Sequence, residues 1–149
     1  MERKIIDLHV HSTESDGTLT PAEVVAAAKE AGLSAIALTD HDTCSGVAKA
    51  QKAAETCGME LIPGIELSTS YTLPNGKEKE IHVVGLFIDT ENQALLDKTA
   101  EFRACRDSRN EKMVEALQKE GFSITMEALL AENPNCVITR ANIARFLLN

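Results

Sequence analysis

The chain is 149 residues long, 44% hydrophobic and 26% charged, enough apolar material for one core in a globular protein. A net charge of −8, a single Tyr and no Trp disfavour a long nucleic-acid groove, which needs basic surface and stacking platforms. The four cysteines are scattered without a C-x-x-C pair, which argues against a zinc knuckle or a disulfide framework and predicts reduced, mostly buried thiols.

Residues 1–6 carry no apolar leader, and no apolar run approaches ~20 residues, so a cytoplasmic location with no membrane span is expected. Residues 4–10 alternate as a strand does: Ile6, Leu8 and Val10 face one way, Asp7, His9 and His11 the other. Thr20-Pro21-Ala22-Glu23 signals a helix start, with Thr20 as N-cap, Pro21 at the first helical position and Glu23 closing a capping box; the stop is Gly32. Residues 34–39 form an apolar run of buried-strand type ending at Asp40-His41-Asp42. A second helix over 45–56 closes at Gly58, a third strand covers 60–67, and Asn75-Gly76 turns the chain into a fourth strand over 80–88.

Strand, helix, strand, helix, strand with right-handed crossovers predicts a parallel α/β sheet. From residue 92 the character changes to a long charged helix over 93–120, stopped by Gly121, and shorter helices over 126–132 and 139–148. The expected division is therefore 1–91 for an α/β part and 92–149 for a helical subdomain.

All four histidines, His9, His11, His41 and His82, fall at or near strands, with Asp16 in the loop after the first and Glu66 near the end of the third. C-terminal strand ends of a parallel sheet share one face, so these residues are expected to converge, as a metal site requires. Imidazole and carboxylate donors together suit Zn, Mn, Fe or similar ions, and a bridging carboxylate such as Glu66 can hold two of them. Asp7, Asp40 and Asp42 are candidates for orienting the ligand imidazoles, and Gly17 and Gly64 for letting the backbone turn tightly beside the ions. A lone histidine beside a strand is ordinarily structural; the joint pattern carries the inference. Arg103, Arg106 and Arg109, with Glu101, Asp107 and Glu111, read as the solvated face of a long helix. Arg140 and Arg145 lie where a helix folded over the strand ends would reach a phosphate.

The ordered motifs Asp7-Leu-His-Val-His-Ser12, Ser15-Asp-Gly-Thr18, Leu38-Thr-Asp-His-Asp-Thr43, Pro63-Gly-Ile-Glu66 and Ile81-His-Val-Val-Gly85 resemble the polymerase-and-histidinol-phosphatase (PHP) superfamily. Within it the chain looks most like the metal-dependent phosphoesterases that include nucleoside 3′,5′-bisphosphate phosphatases and 5′-to-3′ exoribonucleases, and only like their N-terminal portion. The resemblance implies an α/β fold that is an incomplete, distorted (β/α)7 barrel with a helical insertion. It also implies a trinuclear Mn, Zn or Fe site: His9 and His11 on one ion, Glu66 bridging to a second held by His82, and Asp16 and His41 on a third. Asp16, Glu66 and Arg140 would take part in catalysis. The implied reaction is hydrolysis of a small nucleotide phosphomonoester by a metal-bridging hydroxide, with no membrane and no long duplex as partner. A histidinol-phosphate phosphatase or a non-catalytic scaffold module are the alternatives.

The family pattern continues with a His-Pro motif and a closing Asp-x-His, whereas no histidine follows His82 here, and Asn142 stands where the resemblance implies His. Four strands cannot close a barrel. Together with the ending at Asn149, this leads to the expectation of the N-terminal half of a longer enzyme. Its open sheet edge would be met by the missing half or by self-association.

Overall fold

The computed structural model describes residues 4–149; residues 1–3, part of the start read above as leaderless, lie outside it. The order is β1 (Ile6–Val10), α1 (Pro21–Glu30), β2 (Ala35–Leu38), α2 (Val47–Cys57), β3 (Glu60–Thr72), β4 (Glu78–Leu86), α3 (Gln93–Lys119), α4 (Met126–Glu132) and α5 (Arg140–Leu148). One sheet holds the four strands in the order β1-β2-β3-β4. β1 and β3 flank β2 in parallel, as predicted.

The fourth strand follows the turn read at Asn75-Gly76 and is antiparallel to the third. β3 runs five residues past Leu67 to Thr72, and the turn at Leu73–Lys77 folds β4 back antiparallel along it, pairing Gly64 with Leu86 through Thr72 with Glu78. A hairpin turn this short leaves no length for a crossover, so antiparallel pairing is forced.

Local signals explain the helices. Thr20 Oγ1 accepts from the Glu23 amide at 3.3 Å and Glu23 Oε2 from the Thr20 amide at 2.8 Å, a reciprocal cap whose N-cap bond is worth roughly 0.5–2 kcal/mol. α2 ends on Gly58 at φ +64°, where a side chain would be strained. Alternation along β2 sends Ile36 and Leu38 against Val24, Val25 and Ala28 of α1 and Ala50 and Ala54 of α2. A second apolar cluster, Val114, Ile124, Leu129, Ile138 and Ile143, joins α3, α4 and α5.

The face of α3 assigned to solvent is partly interior. Arg106 is 5% exposed and Asn110 0%, Arg106 reaching β3 and Asn110 donating from Nδ2 to the Ile138 carbonyl at 2.9 Å. Arginines three apart share a helix face, and here that face is turned inward, so its charge is matched by a buried carboxylate instead of water. The thiols also differ from expectation: all four are free, but Cys105 is exposed and Cys44, Cys57 and Cys136 are only half-buried. Among the described residues no helix is long and apolar enough to cross a membrane.

Candidate metal centre

Glu66 is the hub. Its carboxylate, 7% exposed, has Oε2 2.9 Å from His9 Nε2 and 2.9 Å from His11 Nε2, while Oε1 lies 2.8 Å from His82 Nδ1. His11 turns its other nitrogen to Asp16, Nδ1 to Oδ1 at 2.9 Å, and His41 Nε2 stands 3.4 Å from Asp16 Oδ2. The rings form a row, with centroids 5.1 Å apart for His9 and His11, 4.7 Å for His11 and His41 and 5.0 Å for His41 and His82.

Chain topology produces this convergence. His9 and His11 leave the C-terminal end of β1, and the tight loop beyond them carries Asp16. That loop needs Gly17, because a Cβ there would stand 2.5 Å from the His11 carbonyl oxygen. His41 and Glu66 extend the parallel ladder past β2 as a single bridge: the Glu66 amide donates to the Asp40 carbonyl at 3.1 Å and the Asp42 amide to the Glu66 carbonyl at 2.9 Å. The close approach of β3 to Thr39 at Gly64 leaves 2.7 Å for a Cβ. His82 arrives differently from the strand-end expectation. It sits mid-strand in antiparallel β4, opposite Ser68, and reaches Glu66 across the hairpin.

Donor atoms fall into three overlapping groups, each within 4.8 Å: His9, His11 and Glu66; His11, Asp16 and His41; His41, Glu66 and His82. Imidazole nitrogen and carboxylate oxygen suit divalent ions of borderline softness. His41 Nδ1 is buried without a hydrogen-bond partner and lies 3.6 Å from Glu66 Oε2; in the tautomer that leaves its lone pair free, a bound ion would satisfy it. The residues present therefore fit divalent metal.

Charge is arranged to match. Burial acts to raise the Asp16 pKa, but the hydrogen bonds and charges of His11 and His41 outweigh it and hold that carboxyl below the carboxylate range. Glu66 is likewise lowered: burial opposes, and the His9 bond, the His41 charge and the His82 bond prevail. For His11 burial acts downward and loses to the Asp16 bond and the charges of Asp16, Glu66 and Asp40, so its pKa is raised.

The aspartates predicted to orient imidazoles do other things. Asp40, 2% exposed, accepts from Ser12 N at 2.8 Å, Ser12 Oγ at 2.7 Å and Ser15 Oγ at 2.6 Å, and so shapes the Asp16 loop. Asp42 accepts from Arg106 and from the Ser68 amide, and Asp7 from the His9 amide. A short side chain on a strand-end turn is closer to neighbouring amides than to the far side of a ring. The carboxylate that does meet an imidazole from behind is one the sequence reading missed. Glu80 Oε1 lies 3.2 Å from His82 Nε2, two residues along β4 and so on the same face.

Helix α5 closes over the Asp16 loop. Thr139 Oγ1 donates to Asp16 Oδ2 at 3.3 Å, Arg145 Nη2 to the Asp16 carbonyl at 3.0 Å, and Asn142 Nδ2 to the Ser15 carbonyl at 3.1 Å. Asn142 also closes the α5 capping box with Thr139. Arg140 Nη1 donates to Glu80 Oε2 at 2.7 Å, its side chain 55% exposed.

The chain is similar to known proteins over nearly its whole length. Over 97% of its length the chain is 37% identical to a 5′-3′ exoribonuclease of Haemophilus influenzae, covering 51% of that protein. It is 36% identical, over 97% of itself and 49% of the relative, to a 3′,5′-nucleoside bisphosphate phosphatase of Chromobacterium violaceum. A solved Bifidobacterium adolescentis protein assigned to the metal-dependent phosphoesterases superposes with a TM-score of 0.84 at 33% identity, over 99% of this chain and 50% of the other. The chain thus spans about half the length of the curated relatives it matches, and its curled sheet with outer helices is part of a PHP barrel. With the PHP domain model matching residues 7–133, the chain belongs to the PHP family.

Proposed function

We propose that this chain carries the metal-binding half of a phosphoesterase that hydrolyses phosphomonoesters of small nucleotides, 3′,5′-bisphosphonucleotides or short 5′-phosphorylated oligoribonucleotides. His9, His11, Asp16, His41, Glu66 and His82 are its ligands. The carrying observation is the Glu66 carboxylate, held on one oxygen by two imidazoles and on the other by a third. A carboxylate with neighbours on both oxygens is disposed to bridge two ions, and the three overlapping donor groups support a trinuclear Mn, Zn or Fe centre. Bound ions would supply Lewis acidity, lowering the pKa of water and offsetting charge on a transferring phosphoryl group.

The chain's own residues supply the rest. Glu80 orients the His82 ring, Asp40 and α5 fix the loop that aims Asp16, and Arg140, more than half exposed, keeps donors available to a phosphate beside His82. The names of the relatives, an exoribonuclease and a nucleoside bisphosphate phosphatase, support a nucleotide phosphoester as substrate.

The test is metal analysis paired with hydrolysis. After Mn²⁺ loading, elemental analysis should give more than one ion per chain, and phosphate release from 3′,5′-bisphosphonucleotides should exceed that from histidinol phosphate. Less than one ion per chain together with no hydrolysis of either compound would sink the reading.

A further inference from the structure

Asp42 and Arg106 form a buried ion pair outside the ligand set. Their side chains are 0% and 4% exposed, and the guanidinium grips one carboxylate oxygen with two donors, Nε at 3.0 Å and Nη2 at 2.6 Å. Asp42 Oδ1 accepts from the Ser68 amide at 2.8 Å, Arg106 Nη2 donates onward to Ser68 Oγ, and Arg103 Nη1 donates to the Asp42 carbonyl at 3.0 Å. Asp42 holds a left-handed φ of +52°, a turn conformation that Asp and Asn adopt more readily than other side-chain-bearing residues.

The location of this knot gives it meaning. Asp42 follows His41 in sequence, and its amide donates to the carbonyl of Glu66 at 2.9 Å. Ser68 lies two residues beyond Glu66 and pairs across the hairpin with His82. One guanidinium from α3 therefore touches the turn after His41 and, at Ser68, the strand of Glu66 at the position opposite His82. Those are the elements that supply the His41, Glu66 and His82 donor group.

We propose that Arg106 is a positioning residue: through Asp42 and Ser68 it locks the His41 turn to the β3–β4 hairpin and so sets the spacing of the donor group formed by His41, Glu66 and His82. The proposal rests on the metal-centre reading for its functional consequence, and on the fold alone for its mechanical one. Arginine suits the task because its fork reaches carboxylate and hydroxyl in fixed directions, which a lysine ammonium cannot do.

Two variants of the whole chain test it, Arg106→Met and the double change Arg106→Met with Asp42→Asn. The double change leaves no unpaired buried charge, and Asn tolerates the left-handed turn, so it recovers whatever melting temperature the single change loses through an uncompensated carboxylate. Positioning requires that it not recover the site. In both variants, without metal, the amides at positions 42 and 66, corrected for the intrinsic rate of the residue present, should exchange with solvent deuterium about tenfold faster or more, while those of Ile36 and Ile62 hold their parental rates, and Mn²⁺ should bind roughly tenfold more weakly or worse.

Parental exchange at Asp42 and Glu66, or restoration of Mn²⁺ affinity along with melting temperature in the double variant, overturns the proposal. So does a uniform rise in exchange across the sheet. If Arg106→Met alone fails to fold, the double variant carries the same comparison. If the parent itself binds no Mn²⁺, the metal-centre reading falls, and the exchange pattern still decides the positioning.

Discussion

β2 and β4 belong to one sheet and could hardly be covered more differently. All four residues of β2 are buried, between helices on one side and the inner face on the other. The first seven of the nine residues of β4 are exposed, among them Ile81 at 40%, Val83 at 48% and Val84 at 36%. The donor cluster spans this divide, with His41 anchored at the covered strand, its side chain 10% exposed, and His82 on the bare one at 33%. Donors on covered backbone are held by packing. A donor on a bare strand must be held by its neighbours, here Glu66 and Glu80.

The largest expected effect tests that contrast directly. Ile36→Ala removes a fully buried side chain and should cost about 2–5 kcal/mol in urea unfolding. Val83→Ala should cost about 0.5 kcal/mol or less, as at other solvent-facing sites. Equal losses would break the comparison, because they would show the β4 face covered in solution, as self-association along that face would do.

Metal removal comes next. If ions bind His41, Glu66 and His82 together, they tie the bare strand to the covered one, and free ion about a hundredfold above its dissociation constant stabilises by about 2.7 kcal/mol. Chelation should therefore lower the melting temperature and loosen β4 amides more than β2 amides in hydrogen exchange. His82→Ala, on the bare strand, should lose Mn²⁺ binding with little loss of fold in the metal-free state. Melting temperature and exchange unmoved by chelator would remove the metal from the account.

What the sequence discloses follows the same divide between local and tertiary causes. The helices and their caps were legible because Thr20, Pro21, Glu23 and Gly58 act within a turn of themselves. The histidine cluster was legible because strand period and βα succession fix which residues share an end. Arg106 and Glu80 were not. Nothing in the spacing of Arg103, Arg106 and Arg109 says whether that face meets water or a buried carboxylate, and the partner, Asp42, is 64 positions away. Glu80 left a trace, since it is two residues from His82 on the same strand face. Asp40 and Asp42 were placed in the right neighbourhood and given the wrong partners, because proximity along the chain does not say which atoms a side chain will face.

A smaller effect concerns the link between α5 and the bare strand. Burial acts to raise the Glu80 pKa, but the Arg140 and His82 bonds and the charges of Arg140 and Arg109 outweigh it and depress it from 4.5 to about 2. A depressed carboxyl stabilises the fold above its unfolded pKa, and that contribution is lost as pH falls from about 4.5 toward about 2. The Glu80 side chain is 35% exposed, so screening keeps the pair in the surface range, about 0.2–1 kcal/mol. Arg140→Met, compared with the parent in chelator, should be less stable by that amount near neutral pH, and the deficit should shrink steadily as pH falls from about 4.5 toward about 2. A deficit that persists undiminished in acid would assign the Arg140 contribution to packing by its stem.

The smallest effect is one of rate, and it carries the contrast of covered and bare to the thiols. Cys105 is exposed on α3 beside the hairpin, in the groove with Ser68, Thr69 and Ser70. Cys136 lies half-buried in the segment that leads to α5. Burial first, then the charges of Glu14, Asp16 and Asp40, push its thiol up to about 11 against the opposing Arg145. Only the thiolate attacks an alkylating reagent, and at pH 8 a thiol of that pKa is ionised in roughly one molecule in a thousand. Iodoacetamide should label Cys105 well before Cys136 by peptide mass spectrometry, and the Cys136 rate should climb about tenfold per pH unit through the alkaline range. Equal labelling at pH 8 would mean that the segment before α5 opens in solution, and with it the cover that Thr139, Asn142 and Arg145 place over the Asp16 loop.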